Sequence, residues 1–230
     1  MSYSRASTAL LLMDPYNDFL AEGGKLWPRV RPMAEQLQLL PHLRELLAAA
    51  RANDIHVFFV PHHKAEPLDF EGWKFMNPTH VGARHIKPFI RGTWGAEFHA
   101  DLQPRQGEVI VGEHWLHSGF ANTDLDYQLR NRGIDHIILA GMRGNACIEA
   151  TARYGVELGY HVTLVKDATA AFSHAEWAAT MEVNAPAFAH AIVTTAEIVG
   201  QISGAGPRMT PLAAQGQGPE TSEVPGPAIP

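Results

Sequence analysis

The sequence has 230 residues, which suits one α/β domain and leaves no room for two full ones. Its 46% hydrophobic residues are enough for a core, and its net charge of −6 gives no basic surface for nucleic acid or an anionic membrane. The single cysteine, Cys147, excludes an internal disulfide and any metal site built from several cysteines.

The first predicted strand, Thr8 to Met13, is apolar throughout, as a central parallel strand is. Its apolar run ends at Asp14 and is too short for a signal peptide or a membrane span, so we expect a cytoplasmic protein that does not bind membranes. Residues 14–19, Asp-Pro-Tyr-Asn-Asp-Phe, follow directly. Acidic side chains after a buried strand indicate a functional loop, although the same residue types are common in solvated turns.

The pattern from Pro32 to Ala52 is rich in leucine and alanine and predicts one long helix, and Ile55 to Val60 is the second predicted strand. His62 and His63 follow it. Adjacent histidines suit a metal, but no aspartate or third histidine lies nearby at ligand spacing. We therefore predict no metal site, and the two histidines either line a pocket or lie in solvent.

Residues 64–102 are the least regular part of the chain. They carry Trp73, Phe75, Trp94 and Phe98 among glycines and prolines, with no clear helical period. Aromatic residues in a long irregular segment favour a packed lid or a substrate wall over disorder. A subunit contact is the alternative, and both interpretations can hold together.

Strands and helices alternate in the rest of the chain. The further predicted strands are Glu108–Val111, His136–Ala140, His161–Val165 and an edge strand Ala191–Thr194, and the further helices begin near residues 122, 148, 176 and 196. This alternation predicts a parallel sheet covered by helices on both faces, a three-layer α/β fold spanning residues 1–203. Residues 204–230, rich in proline, glycine and alanine, are predicted to be a disordered tail.

Cys147 lies just after a predicted strand and a glycine-rich turn, Gly141 to Asn145, at the start of a helix. Free amides at a helix N-terminus favour a thiolate, although a lone cysteine is also a common small core residue. Asp14 and His114 likewise follow predicted strands. Because the carboxyl ends of parallel strands meet at one edge, we expect an acid, an imidazole and a thiol to converge there, as nucleophilic catalysis requires.

The chain resembles the isochorismatase-like cysteine hydrolases, the superfamily that also contains nicotinamidases and N-carbamoylsarcosine amidohydrolases. The resemblance covers about Ala6 to Ser203 and rests on four pieces in order: Asp14-Pro15-Tyr16-Asn17-Asp18-Phe19, Ser118-Gly119-Phe120 with Thr123 and Leu125, the run from Gly141 to Ala152, and the run from Asp167 to Phe172. It implies a Rossmann-like, six-stranded parallel sheet between helices.

The resemblance also implies a catalytic triad of aspartate, lysine and cysteine. Asp14 and Cys147 occupy the first and last positions, but His114 stands where the lysine is expected. We expect His114 to replace that lysine; the alternatives are that it is a bystander or that Lys64, Lys74 or Lys87 reaches the site. A cis peptide at Met142–Arg143, with the amides of Arg143 and Cys147 forming an oxyanion hole, is implied as well.

The implied activity is hydrolysis of a C–N bond in a small amide, carbamoyl or ureido compound through a thioester. The metal ligands of nicotinamidases are not recognisable, so we expect neither a metal nor a cofactor, and the expected partners are a small-molecule substrate and other copies of the chain in a homo-oligomer. The aromatic candidates for the substrate wall are Phe19, Trp27, Trp73, Trp94 and Trp115. The competing hypothesis is a catalytically silent binding or assembly protein, suggested by the missing lysine.

Overall fold

The computed structural model describes residues 3–204. Apart from Gly204, the predicted tail lies outside the described residues, and its disorder stays a prediction. The strands are β1 (Thr8–Met13), β2 (His56–Val60), β3 (Val109–Ile110), β4 (His136–Gly141), β5 (His161–Thr169) and β6 (Ala191–Val193).

The six strands form one parallel sheet in the order β3-β2-β1-β4-β5-β6. The predicted six-stranded parallel sheet is therefore confirmed, with β6 at one edge as predicted. Every residue of β1 is buried, because β2 and β4 flank it and helices cover both faces. Six apolar positions in a row, rather than an alternating pattern, are what such a strand requires.

Helices pack on both faces of this sheet, which gives the predicted three layers. They are α1 (Asn17–Leu20), α2 (Trp27–Leu37), α3 (Leu39–Ala52), α4 (Pro78–Ile86), α5 (Leu125–Arg130), α6 (Glu149–Glu157), α7 (His174–Ala178) and α8 (Thr195–Ile202). One core cluster contains Leu10 of β1 with Leu43 and Ile198, and the other contains Leu11 with Leu129. Successive residues of one strand thus pack into the two cores on opposite faces of the sheet, because side chains alternate along a strand with a period of two residues.

The predicted helix from Pro32 to Ala52 is two helices, so the single-helix prediction was wrong. The break is at Gln38, which has left-handed backbone angles (φ 50°, ψ 43°). Pro41 explains it: proline has no N–H to donate to a preceding turn, and it fits only within the first turn of α3.

Residues 64–102 contain a helix that the sequence analysis missed. Asn77 caps α4 by accepting a hydrogen bond from the His80 N–H at 3.0 Å, and Pro78 begins the helix. Asparagine followed by proline is a standard helix start, so the signal was present but masked by the surrounding aromatic residues. In the part of the chain that the structure describes, no helix combines the length and the apolar character needed to span a membrane.

Candidate active site

Asp14, His114 and Cys147 come together at the carboxyl ends of three strands. Asp14 directly follows β1, His114 lies four residues beyond β3, and Cys147 lies in the turn beyond β4. A carboxylate oxygen, a ring nitrogen and the sulfur of these residues all lie within 4.8 Å of one another. All three side chains are buried, and Asp14 and His114 have no exposed surface. The structure thus brings together the three groups singled out in the sequence.

His114 is hydrogen-bonded to Asp14. Its Nε2 lies 3.0 Å from Oδ1 of Asp14, and because a carboxylate accepts, the imidazole donates. The backbone fixes this contact: the His114 N–H donates to the carbonyl of Pro61, and the His63 N–H donates to the carbonyl of His114. The chain beyond β3 therefore runs beside the extension of β2, which delivers the imidazole to the buried carboxylate.

Two backbone features shape the neighbouring strand ends. Asp14 has φ +50°, a conformation that non-glycine residues adopt rarely and that occurs often at functional sites. Gly141 has φ +116°, and a Cβ there would lie 2.3 Å from the carbonyl oxygen of Met13. Only glycine therefore allows β4 to end so close to β1, and this approach sets the turn that carries Cys147 beside Asp14.

Cys147 lies within the π-helical turn Gly144–Ile148, which precedes α6. The peptide between Met142 and Arg143 is cis. The Gly144 N–H donates to the carbonyl of Ala170 at 2.8 Å, which ties this turn to the segment after β5. The sulfur of Cys147 lies 3.8 Å from the carbonyl oxygen of Leu116.

The surroundings of Cys147 oppose the thiolate that free amides at a helix start favour. Burial raises the pKa of the Cys147 thiol well above its ordinary value, and both the charge of Asp14 and the hydrogen bond from the thiol to Asp14 raise it further. The backbone N–H and the guanidinium of Arg143 lower this pKa, but they do not prevail. An adjacent carboxylate in a dry environment outweighs those amides. Cys147 is therefore a neutral thiol with an acceptor for its proton in contact.

A cavity of about 290 Å³ opens onto Asp14 and Cys147. This volume is at the small end of the range for ligand sites, roughly 300–1,000 Å³, and fits a small molecule. Its wall is largely apolar and aromatic, and it is lined by Asp14, Phe19, Leu26, Arg29, His62, Pro78, Thr79, Gly82, Ala83, Ile86, Pro88, Phe89, Leu116, His117, Arg143, Ala146, Cys147 and Phe172.

Of the five aromatic residues expected at the substrate wall, only Phe19 lines this cavity among the described residues; the four tryptophans lie elsewhere. Trp27, the first residue of α2, packs against the core, and Trp94 lies beside Gly23. Trp73 and Trp115 pack against each other with ring centroids 5.7 Å apart. Composition alone marks large aromatic residues as candidates, but it cannot tell a cavity wall from packing outside it.

The cavity wall instead uses residues that the sequence analysis did not single out. Phe172 was part of the run from Asp167 to Phe172, and Phe89 and Thr79 belong to residues 64–102, so the expectation that this segment walls the site holds for them. Arg29 gave no sequence signal, since it is one charged residue in an amphipathic helix.

His62 and His63 have different surroundings. His62 lines the cavity, packs edge-on against His114, and has its pKa lowered to about 4, first by burial and then by the neighbouring His114. His63 lies 2.8 Å from Asp69 and stacks on Trp115. Neither belongs to a group of metal-ligand side chains in the described part of the chain, where Asp14, His114 and Cys147 form the one such group.

The three lysines considered as alternatives to His114 do not line the cavity that the structure describes. The ammonium of Lys64 lies 5.8 Å from the ring centroid of Tyr16, and that of Lys74 lies 5.2 Å from that of Phe75. Lys87 ends α4 with left-handed backbone angles, and its carbonyl accepts from Lys25.

The solvated-turn alternative for residues 14–19 was wrong, because these residues are buried. Asn17 donates to the carbonyl of Trp94 at 2.8 Å. The carboxylate of Asp18 accepts from the N–H groups of Lys25 and Phe89 at 2.9 and 2.6 Å. The segment therefore positions Asp14 at one end and fastens the loops around the cavity at the other.

Comparison with known proteins gives a consistent result. A family model described as Isochorismatase domain matches residues 8–197. Ureidoacrylate amidohydrolase RutB of Pantoea ananatis is 28% identical over 179 residues, which cover 74% of this chain and 71% of that protein. The protein of the same name from Caulobacter vibrioides (strain ATCC 19089 / CIP 103742 / CB 15) is 29% identical over 173 residues, covering 71% and 76%. A solved cysteine hydrolase from Pseudomonas syringae pv. phaseolicola 1448A has a TM-score of 0.75 and 30% identity, covering 89% of this chain and 96% of that one.

Proposed function

This chain belongs to the isochorismatase family, and on that premise we propose that it hydrolyses a C–N bond of a small amide, carbamoyl or ureido compound through a thioester on Cys147. Its reaction class is that of a hydrolase acting on non-peptide C–N bonds, an amidohydrolase. The observation that carries the proposal is the buried thiol in contact with a carboxylate at the floor of a small cavity.

In the first half of the reaction, Asp14 accepts the thiol proton as the sulfur attacks the carbonyl carbon of the substrate. The raised pKa of the thiol makes this base necessary, because little thiolate exists before substrate binds. The carbonyl oxygen becomes an oxyanion held by backbone N–H groups, for which we propose Arg143 and Cys147; loss of one such donor typically costs about 10²–10³ in rate. The C–N bond then breaks as Asp14 returns the proton to the leaving nitrogen, and a thioester remains.

In the second half, Asp14 takes a proton from a water molecule that attacks the thioester. The C–S bond breaks, the acid product leaves, and the proton returns to the sulfur. The Arg143 N–H supports the oxyanion role, because it contacts the sulfur and has no carbonyl partner among the described residues.

We assign His114 the part of a positioning residue. Its hydrogen bond fixes the orientation of the Asp14 carboxylate, whose second oxygen has no hydrogen bond from an N–H or O–H donor in the described structure. That oxygen is thus available to the thiol and then to the leaving nitrogen. The imidazole fills the place of the lysine that the family resemblance implies, which argues against a silent member.

The same oxygen, nitrogen and sulfur donors also suit a zinc ion. We favour acyl transfer, because Asp14 and His114 already satisfy each other and the Arg143 N–H lies against the sulfur as an anion-stabilising donor. Prolonged treatment with a chelator should accordingly leave activity unchanged, whereas a lasting loss that added zinc restores would contradict the assignment.

A screen of small amides, carbamoyl compounds and ureas with ammonia detection tests the proposed function. Wild-type protein should release ammonia from at least one class, and Cys147→Ala should release none while unfolding at nearly the same temperature. Acid quenching during turnover, followed by mass spectrometry, should show an acyl adduct on the peptide that contains Cys147. A silent binding protein would give neither ammonia nor adduct with any compound, and turnover by Cys147→Ala would exclude the thioester.

We further propose that the protein is a cytoplasmic homo-oligomer. Residues 64–102 expose large apolar side chains, among them Leu68, Phe75 and Trp94, as a subunit contact would. A reduced thiol, which the mechanism needs, is maintained in the cytoplasm. Sedimentation equilibrium at micromolar concentration should give a mass that is a multiple of 25.2 kDa, and a monomer would contradict the oligomer.

A further inference from the structure

Two arginines lie around one aromatic ring in the wall of the cavity. The guanidinium carbons of Arg29, in α2, and Arg143, in the turn before Cys147, lie 3.9 and 4.4 Å from the ring centroid of Phe172. All three side chains line the cavity. The ring of Phe172 thus holds both guanidinium groups at the same part of the wall.

Neither guanidinium has an ion pair or a hydrogen bond with any residue between 3 and 204. Arg51 and Arg91, by contrast, each donate to glutamate carboxylates at 2.7–2.8 Å. Glu176 is the acidic group that acts on Arg143 at longer range, but it accepts a hydrogen bond from the Phe172 N–H at 3.0 Å. Burial lowers the pKa of Arg143, Glu176 and Cys147 raise it in part, and the neighbouring Arg29 lowers it further.

The other titratable groups that line the cavity form no ion pair with either arginine. Asp14 is in contact with His114 and with the thiol. Burial lowers the pKa values of His62 and His117, so both are neutral at neutral pH. Arg29 and Arg143 are thus two cationic groups without an ion pair in a largely apolar cavity wall, and guanidinium groups in such a place favour an anionic partner when the cavity is filled.

We propose that the substrate carries a carboxylate group that binds Arg29 and Arg143 while its amide, carbamoyl or ureido carbonyl lies against Cys147. The inference rests on the proposed function and narrows its substrate class to small acids. Planar guanidinium groups with several N–H donors match a carboxylate better than any neutral group. Arg143 serves both ends of such a molecule, with its backbone N–H at the sulfur and its side chain toward the acid.

The test compares matched substrates. Ureido and amide derivatives of short carboxylic acids are assayed for ammonia release beside neutral analogues of equal length in which a methyl group replaces the carboxylate. Wild-type kcat/KM should favour the best acid over its neutral analogue by at least about tenfold, because a charge-assisted hydrogen bond contributes enough free energy for that factor. Arg29→Met and Arg143→Met should each reduce this ratio about tenfold or more, mainly through KM, and Arg29→Lys should reduce it less.

Arg153→Met is the matched control, because the Arg153 guanidinium also lies 4.4 Å from a phenylalanine ring, that of Phe188, but does not line the cavity. It should leave the ratio unchanged. Ammonia release from neutral analogues as fast as from acids, or an unchanged ratio in both arginine variants, would overturn the carboxylate assignment while leaving the hydrolase function intact.

Calorimetry on Cys147→Ala provides a readout that does not depend on turnover. The acids should bind this variant at least about tenfold more tightly than the neutral analogues, and adding Arg29→Met should remove the difference. If wild-type protein hydrolyses nothing in the panel, the proposed function fails, and the calorimetry still decides whether the cavity binds carboxylates. Equal binding of acids and neutral analogues would overturn the inference.

Discussion

His114→Ala is the most informative single substitution, because it removes the residue in which this chain departs from the lysine implied by its resemblance. The 3.0 Å hydrogen bond to Asp14 joins two side chains with no exposed surface. Removing the donor of a buried hydrogen bond leaves the acceptor unsatisfied, which costs roughly 1–3 kcal/mol. We therefore expect a loss of this size in the free energy of unfolding.

The effect on catalysis follows from the loss of orientation of Asp14. A hydrogen bond to a charged group contributes about 1.5–3 kcal/mol, which corresponds to a decrease of roughly 10- to 150-fold in kcat. The KM should change less, because His114 does not line the cavity among the described residues. His114→Gln keeps an N–H donor and should recover part of kcat, and His114→Lys should also retain measurable activity.

Ammonia release measures kcat and KM, and urea unfolding measures stability. The matched control is His42→Ala, since His42 lies 3.8 Å from the Asp167 carboxylate but outside the cavity. This control should keep full activity. A His114→Ala variant with near wild-type kcat and the stability of the control would refute the assignment of His114 as the partner of Asp14.

Three further predictions concern Cys147, Asp18 and Gly141. Because the pKa of the folded thiol is raised, the folded state keeps a proton that the unfolded chain loses near its ordinary pKa of 9.0. The thiol's contribution to stability should thus be full below about pH 9 and fall above it by up to about 1.4 kcal/mol per pH unit, so Cys147→Ala should reduce the slope of urea-unfolding stability between about pH 9 and 10; an identical slope in the variant would contradict the raised pKa. Asp18→Asn should lower the melting temperature and raise KM, because an amide cannot accept both backbone N–H groups that Asp18 binds; unchanged values would show that these loops do not depend on it. Gly141→Ala should cost several times more stability than Gly133→Ala, which places its Cβ in open space, and equal costs in thermal unfolding would contradict the close approach to Met13.

The sequence predicted the parts of the fold that depend on continuous apolar runs and on chain order. β1 is predicted to the residue because Asp14 ends its apolar run abruptly, and the meeting of Asp14, His114 and Cys147 follows from strand ends in a parallel sheet. The break at Gln38 was missed because helical periodicity is nearly the same on both sides of it. A proline three residues later was the available signal.

The cavity wall was harder to predict than the reacting groups. Arg29 and Phe172 are 143 residues apart in sequence (172 − 29), and nothing local to either residue indicates that they meet. The four tryptophans were wrongly expected in the cavity wall, because the size and apolar character of a side chain do not indicate which way it points. The protonation state of the thiol was also hard to predict, because it depends on the burial of the site and on a carboxylate that is distant in sequence.

The position of His114 beyond the shortest strand affects how readily the active site opens locally. Strand β3 has two residues and one neighbour in the sheet, whereas β1 is paired on both sides over nearly its full length. Local opening of an edge needs less free energy than global unfolding, and the amide protons of Val111 and His114 should exchange with deuterium well before those of β1. Each such opening would withdraw the imidazole from Asp14 while the central strands stay closed. Activity should therefore disappear at mild denaturant concentrations at which the protein still looks folded by circular dichroism, and it should return without refolding once the denaturant is diluted.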